Sequence, residues 1–335
     1  MLIAPAVLAL NGVAVTVTLL LLSAAWFAIQ VLRHWDIGSG SERQLMLERR
    51  TYLISTLVTW CFASEIVSLL LFVYNAEQLA TQFVGAMCAT GVLNAAPWGW
   101  TTLFLKIAVF FSGAAWLILN RVDNQARDYP LVRAKYALLL CIAPLAAAEA
   151  WAQWRFFLSL DPDVITSCCG ALFTPAGDGV AAEVAALDPS TSLAAMYLSG
   201  FMLLAVGGYY RLLGRGGGLF ASLAGAAFAI ALATIVSCIA LYVYEHPHHH
   251  CPFCLLKSGH GFIGYWLYVP LFSATAFALG IGLIGRWRAQ PSLSTIIDVD
   301  GRRFASIALA LFVLFYAVTT YAVLGSSLTM IGVWW

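Results

Sequence analysis

The chain has 335 residues, 62% of them apolar and only 10% charged, with a mean hydropathy of +0.87. Soluble domains carry about 25% charged residues, so this composition excludes an ordinary soluble globule and indicates an integral membrane protein. The formal net charge is +1 and no Lys/Arg block is present, which excludes a nucleic-acid partner.

A transmembrane helix needs about 20 mostly apolar residues. Eight runs meet that need in chain order: Pro5–Val31, Leu53–Asn75, Thr101–Asn120, Ala137–Leu158, Ser192–Tyr210, Leu219–Tyr244, Phe262–Ile284 and Phe304–Thr329. The opening "MLIAPAVLALNGVAV" lacks the charged segment of a cleavable signal peptide and is read as part of the first span. Lipid offers backbone groups no partner, so the runs are helices. The expected fold is an all-α polytopic bundle of about eight spans forming a single transmembrane domain over residues 1–335.

The basic residues alternate between loops. One set of loops holds Arg33, Arg43, Arg49, Arg50, Arg121, Arg127, Arg133, Lys135, Arg211, Arg215, Arg286, Arg288, Arg302 and Arg303. The other holds only Lys257 and, at a helix end, Arg155. Basic loops stay cytoplasmic, which predicts both termini and the loops 76–100, 159–191 and 245–261 on the extracytoplasmic face of the cell (inner) membrane.

Those three loops carry the chemistry. The first contains Met87 and Cys88, the second "SCCG" with Cys168 and Cys169, and the third "HPHHHCPFCLLKSGH" with His246, His248, His249, His250, Cys251, Cys254 and His260. The loops on the basic side contain no cysteine and one histidine, His34. Imidazole and thiolate ligate zinc and copper, and soft sulfur, including the thioether of Met87, favours copper(I). Two cysteines separated by two residues wrap one ion or form a strained disulfide. A seventh helix starting near Cys254 would lower both thiol pKa values through its dipole. The expected ligands are Cys251, Cys254, His248 and His250, with Cys168, Cys169, Cys88 and Met87 as a second cluster and the remaining histidines as supporting or docking groups. A disulfide between Cys88 and Cys168 or Cys169, a structural zinc clip and a solvated histidine loop remain alternatives.

Within the spans, Glu65, Lys106 and Glu149 are candidates for function because charge is costly in lipid. At 1.5 Å per residue, Glu65 and Glu149 lie roughly 18 Å from the cytoplasmic ends of their spans, and Lys106 lies about 8 Å from the outer end of its own. All three fall at depths where Lys106 meets either carboxylate. Cys61 shares a helix face with Glu65, and Cys238 with Glu245. Cys141 reads as a buried structural thiol.

No histidine lies inside a span to hold a haem, Leu255 follows Cys254 where haem attachment needs histidine, and no nucleotide-binding glycine pattern occurs. The leading expectation is a non-enzymatic membrane protein that captures, delivers or transports copper, or zinc, together with other membrane or periplasmic protein subunits. The C-x-x-C at Cys251 and Cys254, with cysteines in a neighbouring outer loop, also resembles the DsbB and vitamin K epoxide reductase families, which have fewer spans. That resemblance implies a thiol–disulfide oxidoreductase coupled to quinone, with Cys251 attacking, Cys254 resolving and Cys168 or Cys169 shuttling. A third expectation is a non-catalytic anchor subunit of a membrane complex.

Overall fold

The computed structural model describes residues 4–161, 163–166 and 180–329. Among them are eleven α-helices and no strand: α1 (Pro5–His34), α2 (Glu42–Leu79), α3 (Ala89–Asn94), α4 (Gly99–Asp123), α5 (Val132–Leu158), α6 (Val180–Ala185), α7 (Pro189–Leu213), α8 (Gly217–Thr234), α9 (Ala240–Tyr244), α10 (Ile263–Ile284) and α11 (Pro291–Leu324). A π turn, Ile235–Ile239, joins α8 to α9. Eight segments are long and apolar enough to cross a membrane, with α8, the π turn and α9 counting as one. They correspond one for one to the eight runs expected from hydropathy.

The boundaries differ where charge interrupts the apolar pattern. The second helix begins at Glu42, eleven residues before Leu53, and the last begins at Pro291, thirteen before Phe304. A helix leaving the hydrocarbon can continue in water on local propensity and caps. Ser41 caps α2 by accepting the Gln44 N–H at 3.3 Å, and Pro291 opens α11, a position that needs no N–H donor.

The described residues form two compact units. Of the described residues, those within 1–84, 92–164 and 287–297 form unit 1, and those within 85–91, 165–286 and 298–335 form unit 2.

In unit 1, α1 packs on α2 and α5, and α4 packs on α2 and α5, giving a four-helix ring. Each helix turns a stripe inward at spacings of three and four. In α1 the stripe is Leu10, Ala14, Val17, Leu21, Ala24, Ala28 and Val31. The same spacing in α4 runs Leu103, Lys106, Phe110, Gly113, Trp116 and Asn120, and in α5 it runs Tyr136, Leu139, Ala143, Ala146, Glu149 and Gln153. Polar side chains therefore occupy core positions. A Cβ on Gly113 would lie 2.8 Å from Phe62, so the missing side chain permits the close α2–α4 approach that seats Phe62 against Trp116.

In unit 2, α8 packs on α7 and α10, while α11 meets α7 through Tyr197 and Thr320, whose hydroxyls are 2.7 Å apart. Residues 245–262 connect α9 to α10 through two 3-10 turns, Cys254–Leu256 and Ser258–His260.

Candidate metal centre

Two loops of unit 2 converge on three sulfurs. Gly85 has φ +86°, and a Cβ there would lie 2.2 Å from the Thr166 carbonyl oxygen, so only glycine lets the loop carrying Cys88 pass this backbone. Cys251 and Cys254 are held from the helices on either side of their loop. The Tyr244 hydroxyl donates to the Cys251 carbonyl at 2.5 Å, and the Tyr268 hydroxyl donates to the Pro252 carbonyl at 2.9 Å. The Lys257 ammonium donates to the Met87 carbonyl, which ties the two loops together.

The Sγ atoms of Cys88, Cys251 and Cys254 all lie within 4.8 Å of one another. Cys88 Sγ and Cys251 Sγ are 3.3 Å apart, and the Thr90 hydroxyl lies 3.2 Å from Cys251 Sγ. Thiolates about 2.3 Å from a common ion stand roughly 3.8–4.0 Å apart, so small adjustments close this group around one ion. All three cysteines are buried, with Tyr244 and Phe253 packed over them.

The histidines grade from surface to interior. His246 and His248 are exposed and adjoin each other, with ring centroids 6.1 Å apart. His249 and His260 are partly buried and flank Tyr244, at 4.2 and 4.7 Å between centroids. His250 is buried, and its Nδ1 lies 3.0 Å from the carbonyl of Val236 in the π turn. A carbonyl only accepts, so Nδ1 carries the proton and Nε2 keeps its lone pair. Burial holds the His250 imidazole below its ordinary value, against the opposing Val236 hydrogen bond. Burial also lowers His260, followed by the nearby His249 and Lys257. Both rings are therefore neutral at physiological pH.

The expected site is partly regrouped. Cys251 and Cys254 come together, and Cys88 joins them. None of the histidine ring nitrogens falls within that sulfur group, His248 and His250 included. Met87 is 71% exposed, and its backbone carbonyl accepts from Lys257. Cys168 and Cys169 lie outside the described residues. Cys254 opens a 3-10 turn, not a helix, because α10 begins only at Ile263, after Gly261 and Phe262 adopt φ +64° and +56°. Helix-dipole activation of the two thiols is withdrawn. No spacing pattern in the sequence marks Thr90, Tyr244 or Tyr268.

Two smaller expectations are corrected. Cys238 is buried within the π turn, whereas Glu245 ends α9 at φ +51°, exposed, accepting the Ser327 N–H at 2.7 Å. The two do not share a face. Cys141 is exposed on the outer side of α5, not buried.

Unit 1 holds the intramembrane charges. Lys106 Nζ lies 2.7 Å from Glu149 Oε1 and donates to Ser68 Oγ at 2.8 Å. Glu65 belongs to the same group and feels both charges. The convergence expected from depth along each span is present. Nearer the other end of the same helices, Lys135 Nζ pairs with Asp123 Oδ2 at 2.8 Å and donates to Asn120 Oδ1 at 2.9 Å.

No protein family, curated protein or solved structure matches this chain.

Proposed function

We propose that this is a membrane protein that captures a soft metal ion on its extracytoplasmic side and passes it to a protein partner or across the membrane. The observation carrying the proposal is the convergence of Cys88, Cys251 and Cys254 within 4.8 Å. Three sulfurs suit copper(I), which soft thiolates select, whereas zinc in protein sites is almost always four-coordinate. The graded histidines support capture. Exposed His246 and His248 meet ions first, then partly buried His249, and the neutral rings of His260 and His250 lie further inward. The one-sided distribution of basic residues supports placing this loop, and both termini, outside.

The test is elemental analysis of purified protein after anaerobic loading with copper(I), with copper–sulfur scattering read by X-ray absorption. Wild type is expected to hold one equivalent with sulfur in its first shell, and Cys88→Ser and Cys251→Ser none. Equal copper in wild type and in Cys251→Ser removes the site. Equal copper in wild type and Cys88→Ser removes the three-sulfur geometry.

The 3.3 Å separation of Cys88 and Cys251 favours a second reading, a thiol–disulfide oxidoreductase. In that reaction the two thiols form a disulfide and surrender two electrons and two protons to a quinone. The complete burial of both sulfurs ranks it second, because a partner's cysteine must reach one of them. A two-hydrogen mass loss mapped to Cys88 and Cys251 on adding quinone, in protein that binds no copper, would establish it.

A further inference from the structure

The charged group of unit 1 does not balance. Glu65, Lys106 and Glu149 are at most 4% exposed and together comprise two carboxylates and one ammonium. Lys106 is committed: Nζ holds Glu149 Oε1 at 2.7 Å and Ser68 Oγ at 2.8 Å, and the Phe72 ring lies 5.6 Å away. An ammonium has three donors, so these neighbours surround it. Among the described residues no ion pair or hydrogen bond reaches Glu65, and Glu149 Oε2 is buried without a hydrogen-bond partner. One negative charge is left over in an apolar interior, where an uncompensated ion costs several kcal/mol.

The surrounding helices supply no second cation. From Pro5 to Leu32, α1 carries no titratable side chain. On α2 the nearest titratable neighbour is Cys61, one turn from Glu65. On α4, Lys106 stands alone until Arg121. On α5, Arg155 lies over Trp98 and Trp151, and Lys135, about 21 Å along the helix from Glu149, is already paired with Asp123.

We infer that unit 1 binds one proton at Glu65, while Lys106 keeps Glu149 ionised. With the proton bound, the three side chains are neutral in sum. When it leaves to water, the group carries one negative charge. This makes Glu65 a proton site within the membrane, reached on a helix face shared with buried Cys61, Ser68 and Asn75. It stands independently of the metal reading, which concerns other residues.

Infrared spectra of the full-length protein, reconstituted in lipid nanodiscs and titrated with acid and base, test the site. Wild type is expected to show the carbonyl stretch of a neutral carboxylic acid that shifts in heavy water and disappears as pH rises, with no change when sodium replaces potassium. Glu65→Gln, which copies the shape of the protonated acid, is expected to lose that band and to keep the wild-type melting temperature. Glu149→Gln is expected to lose it too, because Lys106 is then released to Glu65. The proposal is overturned by a wild-type spectrum without a titrating band, by a band that survives in Glu65→Gln, or by a band that sodium displaces.

Discussion

Unit 1 and unit 2 both bury reactive side chains among apolar helices, but unit 1 buries charge and unit 2 buries sulfur. The difference lies in what each must have beside it. A thiol is neutral and packs as a small apolar group, so Cys88, Cys251 and Cys254 can share a pocket without any counter-charge. A carboxylate or ammonium in the same surroundings must be matched. The Asp123–Lys135 site is matched one to one: Asp123 Oδ1 accepts the Leu131 N–H at 2.7 Å, its Oδ2 takes Lys135, and Lys135 also meets Asn120. The Glu65–Lys106–Glu149 site is two to one. A buried charge count therefore reports a missing ligand, whereas a thiol cluster reports one only through its geometry.

The largest effect belongs to the closed pair. Lys135→Met leaves Asp123 buried and unpaired, which should cost about 3–5 kcal/mol in denaturant unfolding in mild detergent. The double variant Asp123→Leu/Lys135→Met should recover most of that loss. A single-variant cost under about 1 kcal/mol would mean that water or another cation compensates Asp123, and the contrast between the two charge sites would disappear.

The next effect is in unit 2. An ion that binds only the folded thiol group stabilises the protein by about 2.7 kcal/mol when its free concentration is 100 times Kd. Copper(I) buffered at that level should raise the melting temperature of wild type and leave Cys254→Ser unmoved. Equal rises in both would place the copper elsewhere and leave the sulfur group as packing alone.

The spans were readable because crossing lipid demands long apolar runs, and eight such runs became eight helices. Their ends were written in a different code. Hydropathy stopped at Leu53, but Ser41 followed three residues later by Gln44 is a helix-start pattern, and the structure uses it. Depth at 1.5 Å per residue set Lys106 level with both Glu65 and Glu149, and packing, which depth does not encode, pairs it with Glu149. The sulfur group was only half readable. Cys251 and Cys254 are neighbours in sequence, but Cys88 is 163 residues from Cys251, and nothing local says which other loop it meets. The π turn left no signal either, nor did the left-handed backbone at Glu245 that takes it off the helix face of Cys238.

The smallest effect comes from a carboxylate that needs no partner from across the fold. Asp188, exposed at the N-cap of α7, accepts the Thr191 N–H and the Thr191 hydroxyl, each at 2.8 Å, together with the Ser190 hydroxyl. These donors, Ser190 foremost and then Thr191, hold its carboxyl below the ordinary carboxylate range. A carboxyl lowered by folding stabilises the protein above its unfolded value of 3.8, and that contribution fades as pH falls through the lower, folded value. Asn caps about as well as Asp but does not titrate. Asp188→Asn should thus melt with wild type at neutral pH and lose less stability than wild type in strong acid, while Asp188→Ala should melt lower at every pH above the carboxylate range. The shift is small because solvent screens an exposed carboxylate. Identical acid sensitivity in wild type and Asp188→Asn would show that the helix cap works through shape alone, leaving buried Glu65 as the carboxylate whose protonation the fold registers.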